Sequence, residues 1–156
     1  MARAGGAERF VLAAQELGLD VDAITYPEGT RTAAEAAAAI GCALSQICKS
    51  LLVIGPEGPV LALTAGHHRV DLDELGTLVG GEVRMADARE VLASTGYAIG
   101  GTPPFGHPNP IRTVVDPALL DHEIIYGAGG TPDRCFSIRP SELLEVTGAE
   151  PVRFTL

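Results

Sequence analysis

Four glycines and four prolines fall within the fifteen residues from Gly96 to Pro110, GYAIGGTPPFGHPNP. Glycine admits positive φ and close backbone approach, whereas proline fixes φ and removes an N–H. A stretch this rich in both cannot continue a helix or a central strand, so the chain breaks here into a shaped loop. Helix-like residues precede it and strand-like residues follow. Gly100-Gly101 ahead of Pro103-Pro104 leaves the N–H groups of residues 100 to 102 as candidate donors for a carbonyl oxygen, an oxyanion or a phosphate. A rigid connection without a ligand is the alternative reading of the stretch taken alone.

Lys49 adds a second constraint. Of the eleven basic residues ten are arginines, which makes Lys49 the only lysine. Arginine replaces lysine on a solvated surface, but not where a compact single-point ammonium is needed. Lys49 lies in the apolar run CKSLLVI, where period-2 alternation puts it on one face with Leu51 and Val53. An inward ammonium at a strand end is costly unless it has a partner or a task. The competing reading is an edge lysine reaching into water.

The rest of the chain alternates short helix and strand signals. Helices are expected at Ala7–Leu17, from Thr32 to about Ile40, at Asp71–Val79, at Asp87–Thr95 and at Pro140–Val146. Thr32/Glu35, Asp71/Glu74 and Asp87/Glu90 form capping boxes, and glycines stand after the helix ends. Strands are expected at Val21–Tyr26, Lys49–Ile54, Val60–Thr64, Glu82–Met85, Ile111–Val115, Glu123–Tyr126, Arg134–Ile138 and Val152–Leu156. The Gly55–Pro59 turn makes the second and third of these an antiparallel hairpin. A second Gly/Pro loop, Gly127–Pro132, precedes Arg134. No repeat or linker interrupts the pattern, so one mixed domain over residues 1–156 is expected.

Several function classes are excluded. No run of 18 apolar residues occurs, and the N-terminus lacks a signal-peptide h-region, so no membrane partner is expected. Cys42, Cys48 and Cys135 have no metal spacing and read as reduced, cytoplasmic thiols, with no metal site and no cofactor. The net charge of −9 opposes a long nucleic-acid track and DNA binding; only a few nucleotides can be gripped. GxGxxG, GxxxxGK[ST], HExxH and nucleophile-elbow patterns are all missing. A solvated turn is expected to carry His67 and His68. His107, inside the first loop, is a candidate for substrate binding or for acid–base work, or is simply bonded to its own loop. The carboxylates read mostly as helix caps, with no acid/base couple.

The segments TAAEAAAAIGCALSQICKSLLVI, TGYAIGGTPPFGHPNP and GAGGTPDRCFSIRPSELLEVTGA together resemble the YbaK/prolyl-tRNA-synthetase-associated editing domains, from about Tyr26 to the C-terminus. The resemblance implies a single α+β domain whose mixed, largely antiparallel sheet is partly closed as a barrel and flanked by helices. It implies hydrolysis, in trans, of the ester that joins a wrong small amino acid (Ala, Ser, Thr or Cys) to a tRNA, tRNA(Pro) being the first to test. The implied partners are an aminoacyl-tRNA 3′ end and a synthetase. By position, Lys49 matches the family lysine that contacts the terminal phosphate or ribose, and Gly100 and Pro104 match the GxxxP element. Lys49, Gly100 and Gly101 are therefore the catalytic candidates. Thr102, Pro104, Gly106, His107, Gly129 and Thr131 are the substrate-binding candidates. Pro103 departs from the pattern of some members and removes one donor. Members work without a protein nucleophile: water attacks, the vicinal hydroxyl of the substrate assists, and backbone donors hold the oxyanion. Two alternatives stand beside this: a non-catalytic module that binds an aminoacyl or adenosine end or a synthetase, and a hydrolase of a small acylated nucleotide.

Overall fold

A computed structural model describes residues 5–26 and 32–156. Among these lie five α-helices, α1 (Gly6–Glu16), α2 (Ala33–Ile40), α3 (Leu72–Val79), α4 (Ala88–Thr95) and α5 (Pro140–Thr147). Eight strands accompany them: β1 (Ile24–Thr25), β2 (Ile47–Gly55), β3 (Gly58–Ala65), β4 (Arg84–Met85), β5 (Arg112–Val115), β6 (Ile125–Ala128), β7 (Arg134–Ile138) and β8 (Glu150–Pro151).

The local chemistry accounts for the boundaries. Thr32 accepts from the Glu35 N–H, Asp71 from those of Asp73 and Glu74, and Asp87 from Glu90, which reciprocates on the Asp87 N–H. Each such cap is worth about 1 kcal/mol. Helices α2 to α5 all stop at a left-handed glycine, Gly41, Gly80, Gly96 or Gly148, where a side chain would be strained.

The expected hairpin is the centre of the sheet. β2 and β3 pair antiparallel from Cys48↔Ala65 to Gly55↔Gly58. The strand order is β1-β7-β6-β2-β3-β5-β8, with β4 paired to β2 off that path. Antiparallel contacts join β1 to β7, β6 to β7, and β2 to both β3 and β4, while parallel contacts join β2 to β6, β3 to β5 and β5 to β8. The sheet is mixed, and its path does not close between β1 and β8 among the described residues.

Alternation along the central strands sends side chains to two cores. Cys48, Leu52, Leu61, Leu63 and Val115 face one side, where Phe10 and Ala14 of α1, Val91 of α4 and Leu143 of α5 cover them. Val53, Val60, Ala62 and Val114 face the other, against Leu75 of α3 and Phe154. Phe154 explains a departure from expectation. Only Glu150 and Pro151 extend the sheet, whereas residues 152–156 turn away so that Phe154 is fully buried and Thr155 bridges Val70. Strand-like composition here serves one aromatic anchor. The strand expected at Val21–Tyr26 is likewise short: Ile24 and Thr25 pair with Cys135 and Arg134, and the Tyr26 N–H adds one bond to the Asp133 carbonyl at 2.7 Å. Two 3₁₀ turns, Leu44–Gln46 and Pro117–Asp121, have no strong sequence signal.

One detail of the register prepares the site. The edge of β2 opposite β3 is shared: β6 takes Ile47 and Cys48, and β4 takes Val53 and Ile54. Between them the Leu52 carbonyl accepts from the Ala86 N–H at 3.0 Å. Among the described residues, Lys49, Ser50 and Leu51 face no strand on that edge.

Candidate active site

At this gap opens a cavity of about 500 Å³, a size suited to a small ligand. β2 contributes Lys49, Ser50 and Leu51, α2 contributes Ala33 and Ala36, and the first Gly/Pro loop contributes Ile99, Gly100 and Thr102. Tyr26, Tyr126, Ala128, Pro132 and Arg134 complete the wall. The lining is mainly apolar, and its two charged residues, Lys49 and Arg134, are both cations, with no carboxylate among the described lining residues. A chain of net charge −9 thus presents a locally positive hollow, which suits a phosphate-bearing ligand.

The loop that forms one wall is held rigidly from behind. Phe105 packs against both Phe10 and Phe136, with ring centroids 5.3 Å and 5.6 Å away, and those two rings are themselves 4.7 Å apart. The Tyr97 hydroxyl donates to the Gly106 carbonyl at 3.1 Å, the Thr102 hydroxyl donates to the Ala98 carbonyl at 3.1 Å, and His107 Nε2 lies 2.8 Å from the Pro103 carbonyl. The Gly101 N–H is spent in the turn, donating to the Ala98 carbonyl at 3.0 Å. Among the described residues no hydrogen bond takes up the N–H of Gly100 or of Thr102. Of the three donors expected from the sequence, two therefore remain.

Gly101 acts through contact. A Cβ at this position would lie 2.7 Å from the Thr131 backbone and 2.9 Å from Pro132 Cδ, closer than real side chains approach. The glycine lets the two Gly/Pro loops touch, and that touch brings Pro132 and Gly100 to the same cavity.

Lys49 is half-buried, and its Nζ donates to the His68 carbonyl at 2.6 Å. Burial pushes its pKa below the usual lysine range and the nearby Arg69 lowers it further, while Asp116 opposes them. His68 does not sit in a merely solvated turn. Its Nδ1 lies 2.7 Å from Asp116 Oδ2, and the Asp116 side chain is only 3% exposed. His67 is the exposed member of the pair. Sequence reasoning missed the His68–Asp116 contact because 48 residues separate the two. It also missed Ser50, whose Oγ is buried with no hydrogen-bond partner among the described residues. That atom is sealed from solvent on the face of β2 that carries Cys48 and Leu52, so it is not open to the cavity.

The remaining candidates divide. Lys49, Gly100 and Thr102 line this cavity. Pro104, Gly106 and His107 line a separate cavity behind the loop. Gly129 and Thr131 lie in the second Gly/Pro loop without lining either cavity. The Gly129 N–H donates to the Arg134 carbonyl, and the Thr131 hydroxyl bonds Asp133 at 2.6 Å. Of the stretch Tyr26 to Arg31, where the resemblance implies substrate-sensing residues, only Tyr26 is described, and it lines the cavity.

Residues 27–146 match the aminoacyl-tRNA editing domain family. The chain belongs to that family. A solved structure described as a candidate trans-editing enzyme for prolyl-tRNA synthetase superposes on this editing domain with a TM-score of 0.94, at 40% identity and 99% coverage of both chains. The uncharacterized protein YwhH of Bacillus subtilis is 32% identical over 126 residues, which is 80% of each chain. A candidate Cys-tRNA(Pro)/Cys-tRNA(Cys) deacylase, EbsC, of Enterococcus faecalis is 26% identical over 132 residues, covering 83% of this chain and 80% of its own.

Proposed function

We propose that this editing domain is a trans-acting deacylase that hydrolyses the ester of a tRNA carrying a wrong small amino acid. The observation that carries the reading is the meeting of one ammonium and two unspent backbone donors in one concave, cation-lined site. Lys49 and Arg134 suit the phosphate and ribose of the terminal adenosine. The Gly100 and Thr102 N–H groups suit the ester carbonyl oxygen, whose negative charge grows as water adds to the carbon. The tetrahedral intermediate then collapses, the ribose oxygen leaves with a proton, and a free amino acid is released. An aminoacyl ester is already activated, so alignment supplies much of the acceleration, and each oxyanion donor is worth about 3 kcal/mol. No protein nucleophile is invoked.

The cavity's size and mainly apolar wall support a small side chain such as Ala, Ser, Thr or Cys. The printed descriptions of the relatives direct attention to tRNA(Pro) and, through EbsC, to Cys. The test is a panel of tRNA(Pro) preparations charged with Ala, Ser, Thr, Cys or Pro, assayed for ester loss. Release of one small amino acid, with Pro-tRNA(Pro) spared, is expected. Silence across the panel from folded protein would favour a module that binds the aminoacyl end without turnover. Equal hydrolysis of a short aminoacyl-adenosine would favour an acylated nucleotide as the substrate.

A further inference from the structure

The His68–Asp116 pair has no place in that scheme, yet it is the most buried charged arrangement next to the cavity. Asp116 follows β5, and its N–H donates to the Leu63 carbonyl at 2.8 Å. Its Oδ1 accepts from the Ala118 N–H at 3.0 Å, and its Oδ2 accepts from the Ala65 N–H at 3.1 Å. A carboxylate only accepts, so the His68 Nδ1 facing it at 2.7 Å carries the proton and donates. One carboxylate thus ties the end of β3, the 3₁₀ turn after β5 and the imidazole into one unit. The His68 N–H also donates to the Ala65 carbonyl at 2.9 Å, closing the turn. The carbonyl of this same residue receives the Lys49 ammonium.

We propose that Asp116 and His68 are positioning residues for Lys49, holding the 65–68 turn so that the His68 carbonyl fixes the ammonium at the cavity wall. The long lysine stem has many rotamers, and ordering it costs free energy that a rigid acceptor offsets in advance. Asp116 also offers a negative charge near Lys49, opposite in effect to Arg69. Among the described residues, the other titratable groups around the ammonium are His68 on the same turn, Cys48 beside it on β2 and, across the cavity, Arg134, Tyr26 and Tyr126. Of these groups, only Asp116 is a carboxylate.

Because Lys49 is the only lysine, lysine labelled with ¹³C at Cε gives a single side-chain signal from the untagged chain. Its pH titration needs no substrate. In His68→Ala the labelled methylene is expected to sharpen toward free lysine, whereas in His68→Asn, whose side-chain amide can replace the Nδ1 donor, it keeps the wild-type shift. In Asp116→Asn the Lys49 midpoint is expected to move down, since the charge that favours the ammonium is gone. Signals and midpoints unchanged in folded His68→Ala and Asp116→Asn would overturn the proposal. If Asp116→Asn fails to fold, the two His68 variants still decide it.

The kinetic arm rests on the deacylase reading. Single-turnover deacylation in His68→Ala is expected to fall by on the order of tenfold to a hundredfold, as for a group displaced by about 1 Å, and to recover in His68→Asn. An active wild type matched by His68→Ala would overturn the positioning role in catalysis. A wild type inactive on every charged tRNA would instead overturn the deacylase reading, while the NMR result would still decide the positioning itself.

Discussion

The loop from Gly96 to Pro110 walls two cavities of similar size, about 500 Å³ in front and about 460 Å³ behind. The front one takes Gly100 and Thr102 from its first half and adds Lys49, Ser50 and Arg134. The rear one takes Pro104 to Pro110 from its second half and closes on Ala13, Glu16 and Leu17 at the C-terminal end of α1, with Val146 and Thr147. Both are concave and both include polar atoms, so shape does not separate them. Their charge does. The front lining carries two cations, Lys49 and Arg134, and no carboxylate among the described residues, whereas the rear lining carries Glu16 and neither lysine nor arginine. A cationic hollow in an acidic protein suits a phosphate-bearing ligand, and an acidic one opposes it.

Four substitutions test this contrast. Gly101→Val should have the largest effect, because its side chain would drive the two Gly/Pro loops apart and remove the front wall. Lost deacylation together with a Tm lowered by several degrees is expected; unchanged melting and rate would mean that the loops need not touch. Lys49→Met should lower deacylation by about 10²–10³-fold, the range for one lost electrostatic contact to the transition state, without loss of stability. The sign follows from the depressed pKa of Lys49. Between that value and the ordinary 10.5 the unfolded chain binds more protons, so the wild type gains stability as pH rises through this window. Lys49→Met should abolish that rise in an alkaline Tm series.

His107→Gln probes the rear face. Burial holds the His107 pKa below its usual 6.5, against the hydrogen bond to the Pro103 carbonyl. The unfolded chain therefore binds more protons below pH 6.5, and native stability falls as pH drops toward the folded value. The variant should show a flatter Tm between about pH 7.5 and about pH 5, at a deacylation rate close to wild type. A collapsed rate would bring the rear cavity into the chemistry. Glu90→Gln should do least. Arg84 holds Glu90 through two 2.7 Å bonds, and these, with the Asp87 N–H, bring its carboxyl down to about 2. Both side chains are at the surface, so a slight Tm loss at neutral pH is expected, with no change in rate. In the wild type this contribution is present above 4.5 and is lost as pH falls toward 2.

Local chemistry made much of this legible in the sequence. Caps at Thr32, Asp71 and Asp87, the Gly55–Pro59 turn and the solitary Lys49 each act over a few residues, and each is found in the fold. What stayed hidden depends on contacts between distant segments. The gap in β2 exists because two short strands share one edge, and nothing in CKSLLVI records which strands those are. The His68 imidazole and the Asp116 carboxylate meet through β3 and β5, whose parallel pairing was not readable. Thr102, His107 and their neighbours were read as one loop, but a loop has two faces, and only packing against α1 separates them. Nothing in the residues of α1 records that its Phe10 braces the loop.

The most direct test of the front-and-rear assignment is one single-turnover assay of wild type, Lys49→Ala and His107→Ala on the same mischarged tRNA(Pro). The account predicts that Lys49→Ala loses nearly all of the rate while His107→Ala stays within a few-fold of wild type. The reverse order, with Lys49→Ala active and His107→Ala dead, would place the chemistry behind the loop and contradict it.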